Sequence, residues 1–184
     1  MGLVKSPSPV KLIFGVITAK PELLATVYQR LVEHFGNIDF TSQLLPFDYT
    51  TYYEPEMGTR LKRQFISFEE LIPPDELAAI KHLSNAVESE YAVEATKRRQ
   101  VNLDPGYISA AQLVLASTKP HAHRIYLQKG IYAEITLRFY QKTFQPWDWT
   151  YPDYRTPAYI EIVNHIRQVY MTQLRTSGLS PHPL

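Results

Sequence analysis

Apolar positions along this chain recur with a period of two in some stretches and about three and a half in others, and that change of period marks out its elements. Val10 to Thr18 is apolar on both alternating sets, which predicts a strand buried on both faces and central in a sheet. After Pro21, a residue suited to a first helical turn, Leu24, Val27, Leu31 and Phe35 recur at helical spacing until Gly36. Ile38 to Leu45 alternates and predicts a second strand, and Arg60 to Phe68 a third. Pro73-Pro74-Asp75-Glu76 opens a helix whose stripe is Leu77, Ile80, Leu83, Val87 and Tyr91. Gln100 to Leu103 is the fourth strand. Asp104-Pro105-Gly106 then reads first as a turn, since each of the three suits one. Ser109 and Gln112 form a capping box for a short helix through Ala116.

Arg124 to Leu127 and Ile131 to Phe139 alternate again, as the arms of a hairpin. A three-residue linker, Gln128-Lys129-Gly130, suits a type I turn followed by a left-handed residue. This register places Tyr126 opposite Tyr132 and Arg124 opposite Glu134. It sends Ile125, Leu127, Ile131, Ala133, Ile135 and Leu137 to the core. A one-residue bulge would shift those pairings. Thr156 and Pro157 start a last helix with the face Tyr159, Val163, Ile166, Tyr170 and Leu174.

Strand, helix, strand, strand, helix, strand is the ferredoxin-like order. The predicted fold is α+β: a ferredoxin-like βαββαβ start extended by a helix, a β-hairpin and a C-terminal helix over a mainly antiparallel sheet. Five to seven strands and about four helices are expected, with the helices mostly on one face. Residues 1–9, with Ser-Pro-Ser-Pro, and 176–184 read as flexible tails around a single domain at 10–175.

Composition changes this picture little. A chain of 184 residues suits one domain with a sizeable core, and 45% apolar with 20% charged is ordinary for a globular protein. A net charge of +1 gives no global case for nucleic acid or an acidic membrane. No apolar run approaches the roughly 20 residues of a membrane span, and Lys11 interrupts the first apolar stretch, unlike a signal peptide. With no cysteine there is no disulfide, thiolate ligand or cysteine nucleophile, which fits a reducing cytoplasm. Tyrosine and proline are abundant, at 13 and 14 residues, and tyrosine beside polar residues suits groove linings and sheet ends.

Candidate chemistry gathers between Val101 and Phe139. Asp104 beside a helix N-terminus could be a functional carboxylate. His121, His123, Asp104 and Glu134 lack a strong metal spacing, so no metal ligand and no cofactor is assigned. Arg124 opposite Glu134 is most simply a cross-strand ion pair. An Arg, a Glu and two Tyr on one partly buried face are also costly unless paired or used. Lys97-Arg98-Arg99 reads as a solvated approach to a strand. Tyr52-Tyr53-Glu54 and Trp147 to Arg155 read as aromatic lids over the sheet ends, or as platforms for a planar ligand. There is no Gly-x-Ser-x-Gly elbow, Gly-x-Gly-x-x-Gly or P-loop string.

Several strings carry a resemblance. Phe47-Asp48-Tyr49-Thr50, Val101-Asn102-Leu103-Asp104-Pro105-Gly106-Tyr107, His123-Arg124-Ile125-Tyr126-Leu127, Gly130-Ile131-Tyr132-Ala133-Glu134 and Trp149-Thr150-Tyr151-Pro152-Asp153-Tyr154 resemble a bacterial family described as a domain of unknown function, DUF4416. The resemblance covers nearly the whole chain and implies no established activity. The functional expectation comes from the residues: a cytoplasmic small-molecule binder or enzyme for an anionic, phosphorylated or nucleotide-like ligand. Asp104, His123 and Glu134 would be the acid–base groups, and Arg124, Lys129, Tyr53, Glu54 and Tyr132 the binding groups. The alternative is a non-catalytic module that binds RNA or a protein through its sheet.

Overall fold

A computed structural model describes residues 2–179; the predicted tails fall in part on residue 1 and residues 180–184, which lie outside the described residues. In chain order the elements are β1 (Val10–Thr18), α1 (Leu24–Phe35), β2 (Ile38–Thr41), β3 (Leu45–Pro46), α2 (Glu54–Met57), β4 (Lys62–Ile72), α3 (Leu77–Glu90), β5 (Val101–Ile108), β6 (Gln112–Ser117), β7 (Ile125–Gln128), β8 (Ile131–Tyr140), β9 (Thr143–Pro146) and α4 (Pro157–Thr176). The fold is α+β, an antiparallel open sheet with four α-helices among the described residues. The strands run β2-β4-β1-β5-β6-β8-β7, with β3 added to β4 and β9 to β8. The nine strands among the described residues exceed the five to seven expected, because β3 and β9 are short additions.

β1 is central and buried along its whole length, as its two-sided apolar pattern requires. Leu12, Phe14 and Val16 pack under α1 and α3. Ile13 faces the other way, into a core made with Phe65, Leu113 and Leu137 under α4. Helices therefore cover both faces of the sheet, not mostly one. Every apolar residue read on the last helix is buried there, and Thr156 caps that helix by accepting from the Tyr159 N–H. Ile166→Val should cost about 1 kcal/mol, read as a lower urea midpoint at unchanged slope. An unchanged midpoint would contradict the packing of α4.

Three other expectations are corrected. Gln112 to Ser117 is a strand, not a helix: the Ser109 hydroxyl accepts from the Ala111 and Gln112 N–H groups and so shapes a turn between β5 and β6. Ser109 offers the same hydroxyl to a turn as to a helix cap. Asp104-Pro105-Gly106 lies inside β5, not at its end. A Cβ on Gly106 would come 2.4 Å from the Val114 carbonyl oxygen, so glycine is there for close approach and not for a bend. The hairpin turn is shorter than read. Lys129 and Gly130 both have positive φ, as a two-residue type I′ turn needs, and Leu127 is bulged out between the Tyr126–Tyr132 and Gln128–Ile131 pairs. Ile125 and Leu127 consequently lie exposed on an edge strand and do not join the core. A second irregularity, opposite Leu113 and Val114, turns Leu137 to the α4 side, while Ile131 and Ile135 pack toward α3.

Candidate functional site

β5 and β6 pair only over Gly106–Ile108 against Leu113–Leu115. Beyond that point they part, and the gap is a cleft of about 590 Å³. Asn102 and Asp104 of β5 line one side of it, and Leu115 to Ser117 of β6 the other. The parting is stabilised from α3. Lys81 Nζ donates to the Leu103 carbonyl at 2.8 Å, and Glu88 Oε1 accepts from the Leu103 N–H at 2.6 Å. Two side chains thus replace the missing strand neighbour. Backbone groups alternate sides along a strand, so Pro105 shares the outward direction of Leu103 and has no N–H to leave unpaired. Sequence reasoning missed Lys81, Ser84 and Glu88, yet all three are buried. Their spacing on α3 beside the apolar stripe was the available signal.

Arg63, a β4 residue, crosses the cleft floor. It reaches over Gly15 of β1, where a Cβ would lie 2.3 Å from its Nη1. Nη1 donates to Asp104 Oδ2 at 3.2 Å, and Nη2 to Asp153 Oδ2 at 3.3 Å. The guanidinium also lies 5.0 Å from the Phe47 ring centre. Its side chain is 3% exposed, and its Nε has no hydrogen-bond partner among the described residues. Burial works against the Arg63 charge, but Tyr154, Asp104, Tyr159 and Asp153 outweigh it and its pKa is raised. For Asp153 burial prevails over the pull of Arg63 and raises the carboxyl pKa. Burial also raises the Tyr53 and Tyr154 phenols, which stay protonated donors.

At the α3 end, Arg99 binds both oxygens of Glu56, at 2.9 and 2.7 Å. Its Nη1 donates to Glu88 Oε2 at 3.2 Å and to Asn102 Oδ1 at 2.9 Å. Burial raises the Glu88 pKa against the opposing pull of Lys81, the Leu103 N–H and Arg99. Asn102 Nδ2 is buried without a partner among the described residues.

The third wall holds the predicted pair. Arg124 Nε donates to Glu134 Oε2 at 2.8 Å, and His123 Nε2 meets the same oxygen at 3.0 Å. Arg124 also donates to Ser117 Oγ, the Lys119 carbonyl and the Tyr151 hydroxyl. Behind it His123 stacks on Trp149, and Trp149 on Trp147. Glu134→Gln removes the charge but keeps an acceptor for Arg124, so a stability loss of about 1–3 kcal/mol is expected. If the pair is only structural, ligand binding stays unchanged, and a parental melting midpoint would contradict the tie itself.

Of the residues singled out from sequence, Asp104, Arg124, Glu134 and Tyr53 line one cleft, with His123 against Glu134. Lys129 sits in the hairpin turn, its carbonyl accepting from His82 Nε2. Tyr132 packs on Tyr126, 5.3 Å between ring centres, and Glu54 opens α2 away from the cleft lining. Among the described residues no group of three or more His, Asp or Glu is placed to hold a metal ion. None of their helices is long and apolar enough to cross a membrane.

Fold and cleft together define an α+β protein whose antiparallel sheet parts to enclose a charged, aromatic-walled cleft. Residues 8–170 match the family described as Domain of unknown function (DUF4416), and the chain belongs to it. It matches no curated protein and no solved structure.

Proposed function

We propose that the protein binds a small anionic molecule in this cleft, phosphorylated or nucleotide-like, as a carrier or as an enzyme acting on it. One observation carries the reading: two residues of the cleft lining, Arg63 and Asn102, each hold a buried donor, Nε and Nδ2, without a hydrogen-bond partner among the described residues. Such donors favour an acceptor-rich ligand. In an enzyme, Asp104 beside Arg63 and Glu134 beside His123 are the groups able to move a proton, and Tyr53 supplies a wall for a ring. The lack of cysteine and the family resemblance support a bacterial cytoplasmic setting. The β2-β4-β1-β5 half, with α1 and α3, we read as ferredoxin-like from its strand order, which by itself implies no activity.

Native mass spectrometry and crystal soaks with sugar phosphates and nucleoside monophosphates test this. Bound mass and cleft density are expected, both lost in Asn85→Trp, which fills the cleft from α3. Binding unchanged in that variant overturns the reading. A sheet-face RNA module has less behind it: Phe14 is fully buried and helices pack on both sheet faces.

A further inference from the structure

Resting on the cleft reading above, we infer that the ligand is a phosphate monoester of sugar-phosphate size. Its phosphate sits between Lys81 and Asn102 where β5 parts from β6, and an amino or hydroxyl group of its body donates to Asp104.

Two of the three cleft arginines point away from the obvious alternative. All three nitrogens of Arg124 already hold protein acceptors. Those of Arg99 hold Glu56, Glu88 and Asn102. Lys81 differs. It is 7% exposed and has no carboxylate within ion-pair reach among the described residues; its one acceptor is the Leu103 carbonyl. An ammonium has three N–H donors, so two remain for a ligand.

Asn102 is 4% exposed, and its orientation is set by Arg99. An arginine can only donate, so the amide oxygen must face it and Nδ2 must turn the other way. Nδ2 is therefore a preset donor without a partner among the described residues. Glu88 does not repel an anion here as a free carboxylate would, because Leu103 N–H and Arg99 take its two oxygens.

Asp104 supplies the second pole. One of its oxygens holds Arg63, and the other has no partner among the described residues; the side chain is 25% exposed and lines the cleft. Asn102 and Asp104 are two residues apart on one face of β5, a spacing of roughly 7 Å. That spans the distance from a phosphate to a hydroxyl or amino group across a small sugar. Tyr53 lines the same cleft and brings an aromatic ring to it.

Calorimetric titration of the full chain with inorganic phosphate, glucose 6-phosphate and glucosamine 6-phosphate tests this. Asn102→Asp keeps the shape and the acceptor for Arg99 but places a carboxylate at the phosphate seat. It is expected to weaken all three probes at least tenfold at a near-parental melting temperature. Lys81→Gln serves the same purpose should that variant unfold. Asp104→Asn is expected to weaken the two sugar phosphates at least tenfold more than inorganic phosphate. Sugar phosphates that bind the parent and Asn102→Asp alike, or none of the three binding the parent, overturn the inference. If Asn85→Trp still abolishes that binding, the cleft reading survives. Binding that persists in Asn85→Trp removes both.

Discussion

Replacing Arg63 by methionine is expected to cost about 3–5 kcal/mol, with a matching fall in the urea midpoint. Arg63 is buried, and its guanidinium is the cation held against both Asp104 and Asp153. Methionine fills the space of the stem but leaves two carboxylates facing each other across the cleft floor. Asp153 suffers more, since burial already raises its pKa with Arg63 in place. Arg63→Lys should not restore the parent, because one ammonium cannot span two carboxylates as the forked guanidinium does. Arg63→Met with Asp153→Asn should recover part of the loss, as removing both members of a buried pair is far less costly than removing one. Gly15→Ala acts through the same group: its Cβ would sit 2.3 Å from Arg63 Nη1. The two substitutions should therefore combine less than additively. Full additivity, or an Arg63→Met variant as stable as the parent, would show that the guanidinium does not bridge the floor as described.

Local pattern was enough for the elements that bury one continuous stripe. β1 and α4 show why: β1 is apolar on both faces but for Lys11, and α4 presents one apolar stripe, so period alone sets position and face. The Arg124–Glu134 pair was legible for a similar reason, because both residues lie close to one turn and the alternation survives the bulge at Leu127. Local pattern failed where one residue type serves two structures. Ser109 bonds nearby N–H groups in a turn as it would in a cap, and Gln112 to Ser117 is too short a run for period to separate helix from strand. Pro105 and Gly106 looked like turn residues, yet the parting of the strands and the close approach of β6 use the same properties inside β5.

The cleft itself was largely illegible. Asp104 was singled out, but its partner Arg63 is 41 residues away and reaches it only because Gly15 lacks a side chain. Asp153 is 90 residues from Arg63. Nothing periodic links those positions. Lys81 and Glu88 lie off the apolar stripe of α3, where such residues are usually solvated. They are buried because among the described residues no strand pairs with Leu103 on the β6 side of β5, and a backbone edge there requires a donor and an acceptor. The polar stripe of α3 and the parting of the sheet are thus one feature. Each explains the other, and the cleft follows from both.

The lysine that interrupts the central strand is also held by side chains from other elements. Lys11 is 0% exposed; its Nζ is paired with Asp39 and donates to Gln173 Oε1 at 2.8 Å. Asp39 in turn accepts from Ser67 Oγ at 2.6 Å, and Gln173 donates to the Glu69 carbonyl at 2.8 Å. The charge therefore joins β1, β2, β4 and α4. Asp39→Asn keeps the shape and removes the counter-charge, and should cost about 3–5 kcal/mol at neutral pH. Burial already lowers the Lys11 pKa below the usual 10.5 despite the opposing pull of Asp39 and Glu69. Without Asp39 it falls further. A lysine whose folded pKa lies below its unfolded value is penalised in the fold while charged. That penalty is complete below the folded pKa, lifts as pH rises through it, and is gone above the unfolded value. The stability gap between parent and Asp39→Asn should therefore narrow from neutral pH toward pH 10, measured by urea unfolding at each pH. A gap that stays constant, or widens with alkali, would mean that Lys11 finds another counter-charge or reaches water.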